Sequence, residues 1–384
     1  MAGSRKLSWI ELSRSALAGN IQSLAALAPG KILAISVKGN AYGHGLKEIV
    51  DMVVDNDAVG YLTVHSVEEG AQCRAAGWKK NILILGPVLL DDTDAVFEYD
   101  LEPAVFNREF LQRLGELGEK HGRQIKTHIK LETGTNRQGL SEEELPSIAE
   151  IYRKFESLQK PYAAYTHFAN IEDTTSHGYA EHQLKLFKQM VKKLEALRVK
   201  PTIRHTASSA ATILFKKTHF EMVRPGISVY GHWPSKETYV SYRLRGGENS
   251  IFTPVLAWKA RITQLKSLPP DAFIGYGCTY RTTSATRLGI LPVGYYDGYS
   301  RALSNQAYVL VQGKRAPVRG RICMDITMID VTDIRDVNLE AEAVLIGQSH
   351  SETVSAEQLA GWANSINYEV LARLSGQLPR QIVA

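Results

Sequence analysis

A lysine stands where an apolar strand ends. Ile32 to Val37 reads as a buried strand and runs straight into Lys38-Gly39-Asn40-Ala41-Tyr42-Gly43-His44-Gly45. An ammonium loses water at such an exit, and desolvation favours the neutral amine. That amine is the nucleophile needed to form a Schiff base with a carbonyl. The glycines let the main chain approach a ligand closely. A lysine snorkelling out of a plain βα turn has the same local signature, so the elements around it must carry the argument further.

Strand-like and helix-like runs alternate up to about residue 230. Leu17, Ile21, Leu24 and Leu27 repeat at helical spacing before the first strand. The strands read as Ile32–Val37, Tyr61–Val64, Ile82–Leu85, Glu102–Phe106, Ile125–Leu131, Ala163–His167, Thr202–His205 and Met222–Arg224. Helices fall between them, such as Asn107–Lys120 and Ala180–Leu197, and Ser66-Val67-Glu68-Glu69 reads as a capping box. Eight strands alternating with helices predict an α/β fold, a (β/α)8 barrel of the TIM type. A doubly wound sheet shares this alternation. Ser241 to Ser250, with Arg243-Leu244-Arg245-Gly246-Gly247, reads as a linker. Strands dominate after it: Val255–Ile262, Thr286–Pro292, Tyr308–Val311, Ala316–Val318, Ile326–Val331 and Ala343–Ile346, then a helix at Ala356–Ile366. The expected division is a barrel over 1–245 and a mainly β domain over 246–384.

Bulk composition narrows the function classes. The 384 residues are 44% apolar and 22% charged, with a dispersed net charge of +5, as in a soluble globular protein. No basic run with interleaved aromatics argues for nucleic acid. The apolar runs are strand-sized, so no membrane span is expected. Met1 to Lys6 lacks a hydrophobic signal region. Cys73, Cys278 and Cys323 are too widely spaced for a disulfide framework or a metal site. A reducing cytoplasm is the expected location.

In a barrel, catalytic groups sit at the C-terminal ends of strands. Lys38, Lys130, His167, His205 and Arg224 end the first, fifth, sixth, seventh and eighth strands. They therefore converge on one rim. The loops after strands seven and eight, where barrels often hold phosphate, carry Ser208-Ser209 and Gly226-Ile227. A plain helix cap at Ser208-Ser209 is the competing reading. Downstream, Gly275-Tyr276-Gly277-Cys278-Thr279-Tyr280 sets a tyrosine between glycines, ordinarily a turn.

Taken together, Ala34 to Gly45, Lys130 to Arg137, His167-Phe168, Ser209, Arg224 to Ile227, Tyr276 to Tyr280, Gly294 to Arg301, Arg321 to Asp325 and Ile366 to Glu369 resemble the bacterial alanine racemases, in order and spacing. The resemblance implies pyridoxal 5'-phosphate bound to Lys38. It implies phosphate contacts from Tyr42, Ser209, Gly226, Ile227 and Tyr368, and cofactor contacts from His167 and Arg224. Lys130 is expected to be carbamylated and paired with Arg137, which steers the substrate carboxylate. Tyr276 is the expected second base, with Lys38 abstracting from D-alanine and Tyr276 from L-alanine. Met324 and Asp325 are expected to line the substrate site, and Tyr295, Arg301 and Arg321 its access channel. In the family these residues come from the partner subunit, so a homodimer with shared sites is implied. The implied reaction interconverts L- and D-alanine and supplies D-alanine for peptidoglycan. A serine or broad-range racemase would share the fold and the bases. No metal is implied. Gly39, Thr135, Asn136 and Ser208 depart from the usual family residues.

Overall fold

The computed structural model describes residues 6–159, 161–247 and 250–384. Met1–Arg5 of the N-terminal segment, and Glu248 and Asn249 of the expected linker, lie outside the described residues. After a first strand β1 (Ser8–Ser13), considered below, come β2 (Ile32–Ser36), β3 (Val59–Val64), β4 (Asn81–Ile84), β5 (Glu102–Val105), β6 (His128–Lys130), β7 (Ala163–Tyr165), β8 (Ile203–His205) and β9 (Met222–Val223). β2 to β8 pair in sequence order, all parallel, and β9 pairs back onto β2. A bridge between Ala207 and Val223 links the β8 and β9 side. The result is a nearly closed eight-stranded parallel barrel, and the doubly wound alternative falls away.

Local chemistry sets the helices between these strands. In Arg108–His121, the Asn107 side chain accepts the N–H of Phe110, and Gly122 closes the far end at φ +60°. Phe110, Leu111, Leu114 and Leu117 recur at three- and four-residue spacing and are buried.

Strand periodicity then layers the barrel interior. Side chains two residues apart share a face. Ala34, Tyr61, Leu83, Ala163, Ile203 and Met222 form one packed layer. Two residues further along lie Ser36, Thr63, Leu85, Tyr165, His205 and Arg224, and beyond them Lys38, His65 and His167. Packing fills the bottom of the barrel, and polar groups accumulate towards the C-terminal rim.

The second compact unit does not follow a single cut in the chain. One unit comprises Ala16–Gly39 and Ile49–Thr253; the other comprises residues up to Ser15, Asn40–Glu48 and Pro254–Ala384. This differs from the expected division at residue 245, and the reason is strand pairing. β1 pairs antiparallel with Leu256–Arg261 on one side and parallel with Arg380–Val383 on the other. Short-range patterning carries no signal for partners so distant in sequence. The main sheet runs Lys314–Pro317, Tyr308–Val311, Glu342–Ser349, Leu256–Arg261, β1, Arg380–Val383. Gln264–Leu268, Thr286–Leu291 and Thr327–Asp330 form a separate three-stranded sheet. The expected helix at Ala356–Ile366 stops at Ala363, where Asn364 turns left-handed at φ +52°, and a second helix covers Asn367–Ala372.

β1 sits inside its sheet, with Ile10 and Leu12 fully buried at 0% exposure. Ile10→Ala should therefore destabilise the protein by about 2–5 kcal/mol in urea titration. A loss no greater than that of a surface substitution would show that β1 does not anchor this sheet.

Candidate active site

The C-terminal rim of the barrel encloses a cavity of about 370 Å³ lined by Ser36, Lys38, Thr63, His65, Leu85, Lys130, Arg137, Gln138, Tyr165, His167, Ser208 and Arg224. The expected Lys38, Lys130, Arg137, His167 and Arg224 are thus brought together. Four permanent or potential cations face one space, and among the described residues no carboxylate lines it. Burial, then the charge of Arg137, lowers the pKa of Lys38, with Glu69 pulling the other way. Burial, then Arg137 and Arg224, brings Lys130 down to about 8. His167 falls to about 3 through burial and the charges of Arg224 and Arg137, so its ring is neutral at working pH.

Lys130 Nζ donates to Gln138 Oε1 at 3.0 Å. It also lies over the Phe106 and Tyr165 rings, at 6.0 and 5.8 Å. Gln138 was not among the sequence candidates, although it directly follows Arg137. Glu132 accepts the Gly134 N–H at 2.6 Å, and Thr135 Oγ1 donates to the His167 carbonyl at 2.5 Å. Thr135 therefore braces the chain at His167.

Arg224 is held from below. Its Nη1 donates to His205 Nδ1 at 2.5 Å, its Nη2 to the Thr166 carbonyl at 3.0 Å, and it stacks 5.0 Å over Tyr165. Both hydrogen bonds of the guanidinium thus go to residues of the barrel interior, His205 and Thr166. The bonds fix both imidazole tautomers. A guanidinium can only donate, so His205 Nδ1 carries no proton. His205 Nε2–H then donates to His128 Nδ1 at 2.9 Å, and His128 Nε2–H to Glu102 at 2.9 Å. Tyr61 and Asn81 also donate to Glu102. Burial pushes the Glu102 carboxyl up, but the His128 hydrogen bond and nearby positive charge outweigh it, and the net pKa is low. The chain of bonds ends on a buried anion. His128 and Glu102 were missed, though His128 lies two residues before Lys130 on the same strand face.

The turn after Lys38 has unusual handedness. Gly39, Asn40, Ala41, Tyr42 and Gly43 all have positive φ, from +53° to +81°. This is one left-handed helical turn, and each non-glycine residue in it costs about 1–2 kcal/mol. Glu69 holds its start: one carboxylate oxygen accepts the Gly39 N–H and the other the His65 N–H, both at 2.6 Å. The expected capping box is therefore half formed. Ser66 Oγ accepts the Glu69 N–H, while the Glu69 side chain serves the turn.

The expected phosphate residues fall into two groups. In the barrel unit, Ser209 Oγ accepts the Gly226 N–H at 2.9 Å, and Ile227 opens the short turn Ile227–Tyr230 beside it. Ser208 Oγ is buried without a hydrogen-bond partner among the described residues. In the second unit, the Tyr42 and Tyr368 rings lie 6.1 Å apart.

Also in the second unit, Tyr276, Tyr295, Arg301, Arg321, Met324 and Asp325 line a groove of about 480 Å³. Tyr276 is 73% exposed. A Cβ on Gly277, at φ +72°, would come 2.6 Å from the Arg321 guanidinium. Arg321 thus lies against the tyrosine turn. The described residues contain no cluster of potential metal ligands.

A parallel barrel whose rim gathers cations around a buried strand-end lysine defines a TIM-type barrel protein with a cationic mouth suited to an anion. The chain belongs to the alanine racemase family: residues 12–234 match the family's N-terminal domain and residues 255–382 its C-terminal domain. It is 39% identical to an alanine racemase of Halothermothrix orenii over 97% of this chain and 96% of that protein. An alanine racemase of Leptospira interrogans is 36% identical, covering 98% and 96%. Among solved structures, alanine racemase of Clostridium difficile 630 superposes with a TM-score of 0.91 at 29% identity, over 99% and 97% of the two chains. That of Bacillus anthracis with bound L-Ala-P does so with a TM-score of 0.91 at 30% identity, over 100% and 96%. The activity is that of an alanine racemase, an isomerase, and the relatives do not favour the serine or broad-range alternative.

The neutral histidines give the fold an acid-side weakness. Burial depresses both His167 and His205, whereas an unfolded histidine titrates near about 6.5. Below that pH the unfolded chain binds more protons, so stability falls as pH drops from about 6.5 towards the folded value. The urea midpoint of the cofactor-free protein should fall between about pH 7 and pH 5, and fall less in His167→Asn. Parallel pH dependence in the two proteins would refute a neutral His167.

Proposed function

We propose that the barrel cavity binds pyridoxal 5'-phosphate through Lys38 and racemises alanine with two bases in a homodimer. The supporting observation is a lysine stripped of water in a cavity of cations with no carboxylate lining among the described residues. Such a site suits an anionic aldehyde. Unspent hydrogen-bonding capacity at the buried hydroxyls of Ser36, Thr63 and Ser208 fits a polar ligand as well.

Bound pyridoxal 5'-phosphate supplies the electron sink that acidifies the substrate α-hydrogen. Ser209, Gly226, Ile227, Tyr42 and Tyr368 are proposed to hold its phosphate, with His167 and Arg224 beside its ring. Arg224 cannot hand over its proton, so beside the ring of a bound cofactor it would donate a hydrogen bond without giving up a proton. That favours return of a proton to the substrate carbon over transamination. Arg137 orients the substrate carboxylate, with Lys130 beside it, carbamylated or held by Gln138. Two bases on opposite faces let the proton change sides without moving the substrate. Lys38 serves the D-alanine face and Tyr276 of a second copy the L-alanine face. The exposure of Tyr276, Tyr295, Tyr296, Met324 and Ile326 on the second unit supports a dimer surface there. Met324 and Asp325 would border the substrate, with Tyr295, Arg301 and Arg321 along its access. The D-alanine would serve peptidoglycan.

The purified protein should absorb visible light. Lys38→Ala should abolish that band and lower racemisation by several orders of magnitude, as expected for loss of a covalent catalyst. An unchanged spectrum and rate would end the proposal.

Subunit mixing tests the shared site. Tyr276→Phe should stop α-proton exchange from L-alanine while exchange from D-alanine continues. Combining Lys38→Ala and Tyr276→Phe subunits should restore part of the activity, because a hybrid dimer rebuilds one complete site. Verified hybrid dimers that remain inactive would overturn the arrangement.

A further inference from the structure

Arg380 makes a set of bonds that no role above explains. It lies on the strand Arg380–Val383, and its guanidinium reaches five main-chain carbonyls. Nη2 donates to Gly43 at 2.8 Å and Ser375 at 3.3 Å, Nε to His44 at 3.0 Å, and Nη1 to Leu378 at 2.9 Å and Gly376 at 3.3 Å. Two of these carbonyls end the left-handed turn that carries Tyr42. The other three follow the helix Asn367–Ala372 that carries Tyr368. One planar fork therefore ties together the two segments bearing the paired tyrosines.

The fit between those segments is close. A Cβ on Gly43 would fall 1.8 Å from the Leu371 carbonyl oxygen, so the backbones abut. The Tyr42 and Tyr368 rings meet at 6.1 Å and 50°. The left-handed turn is strained at Asn40, Ala41 and Tyr42, and strained backbone persists only where its surroundings over-determine it. Within this unit the His44 ring bonds the Ala41 and Tyr42 carbonyls and Asn40 accepts the Leu46 N–H, while Arg380 ties the end of the turn to the segment that follows the Tyr368 helix. A lysine could not replace it, because an ammonium lacks the fixed fork that serves several carbonyls at once.

We propose that Arg380 is a positioning residue for cofactor phosphate: it fixes the left-handed turn against the Tyr368 helix so that Tyr42 and Tyr368 receive the phosphate as a pair. This rests on the reading that these tyrosines contact the phosphate.

The test compares pyridoxal 5'-phosphate with pyridoxal, which lacks the phosphate, by equilibrium binding to the cofactor-free enzyme. In Arg380→Lys and Arg380→Gln, the dissociation constant for pyridoxal 5'-phosphate should rise about tenfold or more while that for pyridoxal changes less than about twofold. Comparing two ligands on one protein cancels any general loss of folded material. With saturating cofactor, kcat should return to within about twofold of the parent. Parallel weakening of both ligands, or of neither, overturns the proposal. In Tyr42→Phe, adding Arg380→Lys should weaken phosphate-dependent binding by no more than about twofold; full additivity also overturns it. If the parent enzyme binds both ligands equally, the phosphate reading itself fails, whatever Arg380 does.

Discussion

Positive charge gathered in the largely buried mouth of the barrel is the constraint around which this site is arranged. Lys38, Lys130, Arg137 and Arg224 share the barrel mouth, and like charges so confined raise the energy of the fold. The protein answers in three ways. It depresses the basicity of the amines and keeps His167 neutral. It routes the charge of Arg224 through two imidazoles to Glu102 deep in the barrel. It places Glu69 and Glu132 where they grip main-chain N–H groups. The remaining positive charge stays available for a ligand. A carboxylate lining the cavity would quench it, which gives a physical reason for the polar composition of the rim.

Much of this was legible in the sequence because it depends on short-range pattern. Alternating strands and helices gave the barrel, and the strand-end rule brought Lys38, Lys130, His167 and Arg224 to one rim, whereas the expected His205 lies beneath Arg224, outside the cavity lining. Two kinds of feature escaped. Some needed the inward face to be followed strand by strand. His128 and Glu102 are an example, since each looks ordinary until the barrel sets one above the other. Others needed pairings across most of the chain, as with β1, the excursion Asn40–Glu48 and Arg380. Handedness was a third blind spot. Gly39 and Gly43 signalled a turn, but three successive non-glycine residues with positive φ run against local preference, so no propensity argument would have placed them there.

Three of the four departures from the usual family residues acquire local explanations. Thr135 donates to the His167 carbonyl, and Asn136 adopts φ +52°, a conformation that asparagine tolerates better than most residues. Gly39 carries φ +63° and opens the left-handed turn without a Cβ penalty. These substitutions bear on how the loops are braced.

The pairing of β1 also bears on how the chain is made. Its parallel neighbour, Arg380–Val383, is made only after the whole barrel and most of the second unit, and its antiparallel neighbour begins at Leu256. At about 5–20 residues per second, β1 waits roughly 20–75 s for its final partner. During that interval an apolar strand with Ile10 and Leu12 has an unsatisfied edge, the kind of edge that recruits other strands. In the barrel, β3 to β8 each pair with the strand made just before, and the open edge of β2 waits only until β9 is made. Synthesis therefore leaves β1 open longer than any barrel strand, and chaperone contact should concentrate there.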